Sequence, residues 1–370
     1  MTLYIILPVF LIIFQLFFSM LEQGHYINKR IYLFFSFTLL FVIMSLRSIY
    51  VGTDVENYAR MFHLIGVARF SVAISDIIVS APLYCLLCRL IYIIIPDAQA
   101  LTVVSAAIIC TCFAVYFSHF SENVGMSIYC FVTLWFYYSS FNITRQYIAV
   151  SLILVAYVFA DKRKWWAVVL FGALATGVHN TAAMAIPFTV LIHKKYTAKG
   201  LWVTVFVGFF AIIALNNLFD YMTQLFALIF PRYGMYFGSK MHNVTDEGKG
   251  DNIVLTIYYL LFVLLAVIIV SKDLKKKKVL DATSVTKLLP LAVTGVALGI
   301  IMASNLALGR IRVYFLVSLC CLIPNTLNRL KQKPIFIMIC YAVMLLPYAI
   351  CLSRNISGIV PYTTFFQPYR

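Results

Sequence analysis

Charge is what this sequence has least of. Only 11% of its 370 residues are charged, 63% are hydrophobic, and the mean hydropathy is +0.95. An ordinary soluble domain carries about 25% charged residues, so a soluble sphere built from this chain would be unable to cover its own surface. Acids are the scarcest charges, with 13 Asp and Glu against 29 Lys and Arg. A P-loop, an HExxH pair and any DxD or clustered-acid stretch are missing. Their absence removes the usual phosphate cradle, the usual helix-borne zinc site and the usual metal–nucleotide site. Cysteine is present, but Cys85, Cys88, Cys110, Cys112, Cys130, Cys320 and Cys340 lie inside apolar runs and read as small core or lipid-facing residues, not a disulfide framework. Cys85 and Cys88 form a CxxC with no second pair and no nearby His cluster, so neither a metal nor another cofactor is expected. No internal repeat or soluble domain is visible. The first apolar run ends without a small-residue cleavage pattern and reads as a retained first helix.

What is there in abundance is the long apolar run. Runs cover about 2–20, 31–46, 76–95, 99–117, 124–141, 146–160, 165–192, 201–219, 252–271, 288–307, 311–328 and 335–352. About 20 apolar residues let a helix cross the hydrocarbon core, where the backbone must satisfy its own hydrogen bonds. The runs lack the alternation of a membrane barrel. The expectation is an all-α, polytopic integral membrane protein, a single transmembrane domain over 1–370. It should hold on the order of 10 to 13 membrane helices, some re-entrant or broken. The polar stretches at about 47–75 and 231–251 are its outward loops. Tyr58, Met61, Phe62 and Ile65 recur at helical spacing in the first of these, which predicts an amphipathic helix on the membrane.

Most lysines sit in short loops, which reads as topology anchoring instead of nucleic-acid binding. Asn28–Arg30, Asp161–Lys164, His193–Lys199, Ser271–Lys278 and Arg329–Lys333 should all be cytoplasmic. Strict alternation cannot satisfy all five. Segment 76–95, with Pro82 and Arg89 inside it, is expected to be re-entrant or interfacial. Segment 165–192 is too long for one crossing and is interrupted by Gly177-Val178-His179-Asn180. It is expected to be a bent pair of half-helices that enters and leaves from the cytoplasm. With those two choices Arg47–Asp54, Arg145, the tip at His179, Arg232, Arg310 and Arg312 all face outward.

Those outward residues are the candidates for chemistry. Gly52 permits a tight turn. Thr53 and Asp54 are expected to cap the next helix, with Asn57 and Tyr58 on its first turn, and Arg47 to hold Asp54. A plain helix cap accounts for Asp54 equally well. Arg145, followed by Gln146, lies between two apolar runs against the positive-inside trend. Ionisable residues at membrane depth are costly and usually functional, although a snorkelling terminal Arg has the same pattern. Arg310 and Arg312 can reach a common anion at a helix start. His179 and Asn180 occupy the proposed break, and Arg232 sits in an aromatic-rich stretch that suits a sugar, a lipid headgroup or an interfacial belt. Several Arg with few acids on one face imply an anionic ligand, and Arg is suited to bidentate grip of phosphate. With no nucleotide motif, a lipid-linked phosphate or pyrophosphate is the remaining candidate.

The motifs, in order, are Arg47-x4-Gly52-Thr53-Asp54-x2-Asn57-Tyr58, Thr144-Arg145-Gln146-x2-Ala149, His179-x3-Ala183-x3-Pro187 and Arg312-Val-Tyr-Phe. In these the chain resembles the EpsG-like branch of the Wzy-type polysaccharide polymerases, through nearly its whole length. Family members often carry a Glu where this chain has Ser80-Ala81-Pro82. The resemblance implies metal-independent glycosyl transfer between undecaprenyl-pyrophosphate-linked glycan repeat units, at the outer face of a bacterial cytoplasmic membrane. The product would be an O-antigen, capsule or exopolysaccharide. A flippase and a chain-length regulator are the partners it implies. Arg145, Arg312 and Arg310 would bind pyrophosphate, and His179, ahead of Asp54, would take the acceptor proton. A lipid-linked glycan flippase or exporter, and an O-antigen-ligase-like transferase, are the alternatives.

Overall fold

The computed structural model describes residues 1–23, 29–68, 81–193, 246–277, 284–301, 310–330 and 333–367, with short helical pieces between 199 and 210. Among them the chain is mainly helical, with loops between the helices and one isolated bridge, between Arg47 and Thr364. Among the described residues, five helices are long and apolar enough to cross a membrane: Thr2–Leu21, Ala98–Phe120, Thr144–Asp161, Val254–Lys272 and Pro334–Ser353. The protein is an all-α polytopic membrane protein. Its contacts fall into two compact units, Met1–Thr189 with Leu330–Arg370, and Val190–Arg329.

At the centre of the first unit stands Thr144–Asp161, packed on Ala98–Phe120 and Trp165–Val178. It is buried nearly all round (78%), which explains why Gln146, Tyr147, Ser151 and Tyr157 are tolerated in so apolar a run. Thr2–Gln23 is the opposite case. Ile5, Ile6, Val9, Ile13, Leu16 and Met20 are exposed, the lipid-facing stripe of a peripheral span.

Pro8 lies inside that first helix and has no N–H for the carbonyl of Tyr4, four residues earlier. The Tyr348 hydroxyl, from the Lys333–Ser353 helix, donates to that carbonyl at 2.7 Å, while the Tyr4 hydroxyl donates to the carbonyl of Ile359. A partner of this kind is what a proline-interrupted helix needs where water is absent. Tyr348→Phe is therefore expected to cost about 1–2 kcal/mol, read as a lower thermal midpoint of the purified protein in detergent. In a Pro8→Ala background the carbonyl regains a helical N–H, and the penalty should shrink. An equal penalty in both backgrounds would count against this account.

Of the two segments expected to depart from a simple crossing, 76–95 is described only from residue 81 and 165–192 throughout. Helix Pro82–Ile94 has 13 residues, about 20 Å at 1.5 Å per residue, too short for a ~30 Å core. The 165–192 run breaks at the expected place. Trp165–Val178 ends at an extended His179, and a 3-10 helix runs from Asn180 to His193. Ile186 lies against Gly172, so residues seven before and seven after His179 touch. The chain folds back on itself with His179 at the tip. An interruption that was not expected splits 124–141 into Val124–Thr133 and Phe136–Asn142. Trp135 takes a left-handed φ of 70° between them.

In the expected surface helix, Val55–Val67, the buried stripe is Val55, Ala59, Phe62 and Ile65. Tyr58 and Met61 are only half-buried. The helix packs on Pro82–Ile94 and Ala98–Phe120, so protein covers its apolar face.

The second unit packs Asp246–Lys277, Ser284–Ile301 and the Arg310–Leu327 region together. Most of the 201–219 run, most of the 231–251 loop and Arg232 lie outside the described residues.

Candidate functional site

Two of the sequence motifs meet in the first unit, at the break between Phe136–Asn142 and Thr144–Asp161. A helix break leaves carbonyls without helical partners. Arg47 takes up part of that deficit. It is 1% exposed; one terminal nitrogen donates to the Met44 carbonyl at 2.6 Å, the other to the Phe141 carbonyl and to Thr144 Oγ1, each at 3.2 Å. Its guanidinium lies 4.9 Å from the Phe141 ring centroid. Burial pulls its pKa down to about 10, so it stays a cation at neutral pH. Arg47 was expected to hold Asp54. Its hydrogen bonds instead go to main-chain carbonyls and to Thr144, because a guanidinium beside a broken helix finds acceptors there.

Asp54 is held by another residue. Asn142, 7% exposed at the end of its helix, uses Oδ1 to accept from the Asp54 backbone N–H at 2.7 Å and from Thr53 Oγ1 at 3.1 Å. Gly52, at φ +118°, makes this approach possible. A Cβ there would meet Val55 Cγ2 at 2.8 Å and the Asn142 Cα at 3.3 Å. Asp54 does occupy the N-cap position of Val55–Val67, but its carboxylate accepts no capping hydrogen bond. The expected side-chain cap is thus absent, since Asn142 fixes the turn from outside. Thr53, Asn57 and Glu56 are exposed, and Tyr58 is half-buried with its ring 6.4 Å from that of Tyr84.

Arg145 opens the Thr144–Asp161 helix, three positions after Asn142. Its guanidinium lies 5.7 Å from the centroid of the buried Tyr84 ring. Its Nε is buried with no hydrogen-bond partner, and no carboxylate pairs with it, among the described residues. Arg145 is half-buried as a whole, but leaving its buried Nε–H without an acceptor is costly, and a phosphate oxygen would relieve that cost. Tyr58, Tyr84, Arg47 and Thr144 also line a narrow crevice with Thr102 and Ser105. The nearby end of Lys29–Ser45 is fixed by Gln99, whose side-chain amide donates to the Ser45 and Arg47 carbonyls at 2.5 and 3.2 Å.

His179 ends the Trp165–Val178 helix. That helix returns antiparallel to Thr144–Asp161 after a short turn. Its 14 residues span about 21 Å beside a partner about 27 Å long. Gly177, beside His179, packs on Leu83, next to Tyr84. The tip and the arginine corner therefore share the start of Pro82–Ile94. Gln146 is buried and Asn180 exposed.

Arg312 belongs to the second unit. Its guanidinium donates to Thr256 Oγ1 at 2.9 Å and passes Gly299 at 3.3 Å from where a Cβ would stand. The backbone of Arg310 begins the same short 3-10 turn. Sequence reasoning gave no role to Asn142, Tyr84 or Gln99, and Thr144 entered only as the first residue of a motif. Asn142 alone left a signal, as an amide in an otherwise apolar run beside Thr144-Arg145.

Fold and corner together define a multi-pass helical membrane protein with a half-buried acid and an under-paired arginine joined at a helix break. The family model described as EpsG family matches residues 30–369, and the chain belongs to the EpsG family, whose members are Wzy-like polysaccharide polymerases and EpsG-like proteins. No curated protein and no solved structure matches the chain.

Proposed function

We propose that this protein polymerises glycan repeat units carried on undecaprenyl pyrophosphate, at the outer face of the cytoplasmic membrane, without a metal. The single observation that carries the reading is the Arg145 corner. A guanidinium sits on Tyr84 with its Nε unpaired, and Asp54 is fixed by Asn142, three positions before Arg145. In the reaction a hydroxyl of the incoming unit attacks the anomeric carbon of the growing chain. The bond from that carbon to pyrophosphate breaks, its electron pair stays on the pyrophosphate oxygen, and the hydroxyl proton passes to a base. Arg145 stabilises the growing charge on the leaving group more than it stabilises the ground state.

The base is assigned to Asp54, because Asn142 fixes its backbone N–H three positions before Arg145. His179, favoured by the sequence, lines the tip nearby. The outward orientation is supported by Thr144–Asp161 itself. Arg145 opens this helix and the basic Lys162–Lys164 turn follows it, about 27 Å away. The lysines prefer the cytoplasm. Arg310 and Arg312 remain phosphate ligands by resemblance.

Purified protein, given a lipid-linked repeat unit, should convert it into a ladder of longer glycans with release of undecaprenyl pyrophosphate and no need for divalent cation. Movement of the unit across a vesicle bilayer without a ladder would identify a flippase and sink the proposal. Transfer to an unrelated acceptor without a ladder would identify a ligase.

A further inference from the structure

We infer that the segment Asn355–Gln367, after the last helix, is a positioning element of the site, and that its Ser357–Gly358 turn sets where Asp54 stands. The inference rests on reading Asp54 as a reacting group. The segment pairs along the whole 46–53 loop through the main chain. Phe365 N–H donates to the Leu46 carbonyl at 3.1 Å, and Ser48 N–H to the Thr363 carbonyl at 2.9 Å. Gly52 N–H donates to the Gly358 carbonyl at 3.0 Å and Thr53 N–H to the Ser357 carbonyl at 3.1 Å. The turn is closed by Asn355, whose side-chain amide donates to the Val360 carbonyl and accepts from its N–H, each at 2.8 Å. The Tyr362 hydroxyl ties the segment to the Ile43 carbonyl at 2.7 Å.

The loop that carries Asp54 is thus gripped from two sides. Asn142 holds the Asp54 N–H and the Thr53 hydroxyl from the helix-break side. The Ser357–Gly358 turn holds the N–H groups of Gly52 and Thr53 from the other. These grips act on consecutive residues, so a displacement of the turn is passed to Asp54 within one or two peptide units. The closest contact is at Gly358. Its φ is +62°, and a Cβ there would meet Thr53 Cγ2 at 2.8 Å, a separation that real Cβ atoms do not keep. Gly358 therefore meets two demands, a left-handed backbone and the space for the Thr53 methyl. Main-chain pairing of this kind is blind to side-chain identity. Where the segment meets the Thr53 methyl, at 358, it carries no side chain at all.

The test is a cycle on the full chain. Gly358→Ala is made in the native background and again with Thr53→Ser, which keeps the hydroxyl and removes the obstructing methyl. In the native background, kcat for polymerisation should fall on the order of tenfold through displacement of a reacting group, with KM little changed. In the Thr53→Ser background, the same Gly358→Ala change should cost several-fold less. A purely structural segment would lower yield and thermal midpoint in both backgrounds, with no difference in kcat per folded molecule. Such a result overturns the inference.

A second readout does not need the reaction. Asp54→Cys is labelled with a membrane-impermeant maleimide, against a background in which the native cysteines are buried apart from half-buried Cys112. The labelling rate should change several-fold with Gly358→Ala and return towards its starting value with Thr53→Ser. An unchanged rate refutes the positioning role whatever the activity shows. If the protein makes no ladder at all, the polymerase reading fails and the labelling cycle alone decides the placement of residue 54.

Discussion

Replacing Arg145 with lysine is expected to lower polymerisation turnover on the order of 10²-fold, with membrane insertion and protein level unchanged. The argument is geometric. Lysine keeps the charge but loses the planar fork that can offer two parallel donors to pyrophosphate. It also loses the flat face that lies over Tyr84. A donor aimed at developing charge is worth about 10²- to 10³-fold when removed, so Arg145→Ala should fall at least as far as the lysine variant. Because the loss is of leaving-group stabilisation, it should appear in kcat and shrink for a donor with a better leaving group. Full turnover in the lysine variant would mean that Arg145 merely anchors a helix end at the interface. The same lysine replacement at Arg312 tests the role that family resemblance gives it.

The second large effect is expected at Asp54. Asp54→Asn keeps the shape and the capacity to cap a helix, yet polymerisation should drop by about 10²-fold or more, the usual worth of a positioned base. The structure sharpens this test. With no capping hydrogen bond accepted by the Asp54 carboxylate, capping competence in Asn has nothing to rescue. His179→Gln should be milder. If instead Asp54→Asn turns over almost normally, the proton goes elsewhere, and His179 is next in line. A histidine base would show itself as a rise in rate through about pH 6.5 that disappears in His179→Gln. That pair of results would reverse the assignment of the base and leave the Arg145 prediction intact.

How much of this was legible beforehand depends on what kind of force shapes each part. The spans were legible because apolar runs carry their own signal. The break at His179 was legible because Gly177 and a polar pair interrupt one of them. The Gly52 turn follows from glycine in a polar stretch between helices. The break at Trp135 was not legible. Its run contains no Pro or Gly at that point, and the left-handed Trp135 is packed among Tyr138 and Tyr348, contacts that the sequence pattern does not display. The corner was half legible. Arg145 and Asp54 stood out as charges in the wrong place, but Arg47 was paired with the wrong partner. A sequence shows its acids and not the carbonyls that a broken helix leaves exposed. The grip of Asn355–Gln367 on the 46–53 loop left no trace, since main-chain hydrogen bonds impose no residue pattern.

The bond from Tyr348 to Tyr4 spans 344 residues, and the ordering of the 46–53 loop waits on residues later still. At about 5–20 residues per second of synthesis, roughly 20–70 s separate the two tyrosines. Throughout that interval the Tyr4 carbonyl lacks the hydroxyl donor that the folded protein gives it. The Asp54 loop meanwhile lacks one of its two clamps. Until the later residues emerge, the early motifs are present with the 52–54 turn held from the Asn142 side only.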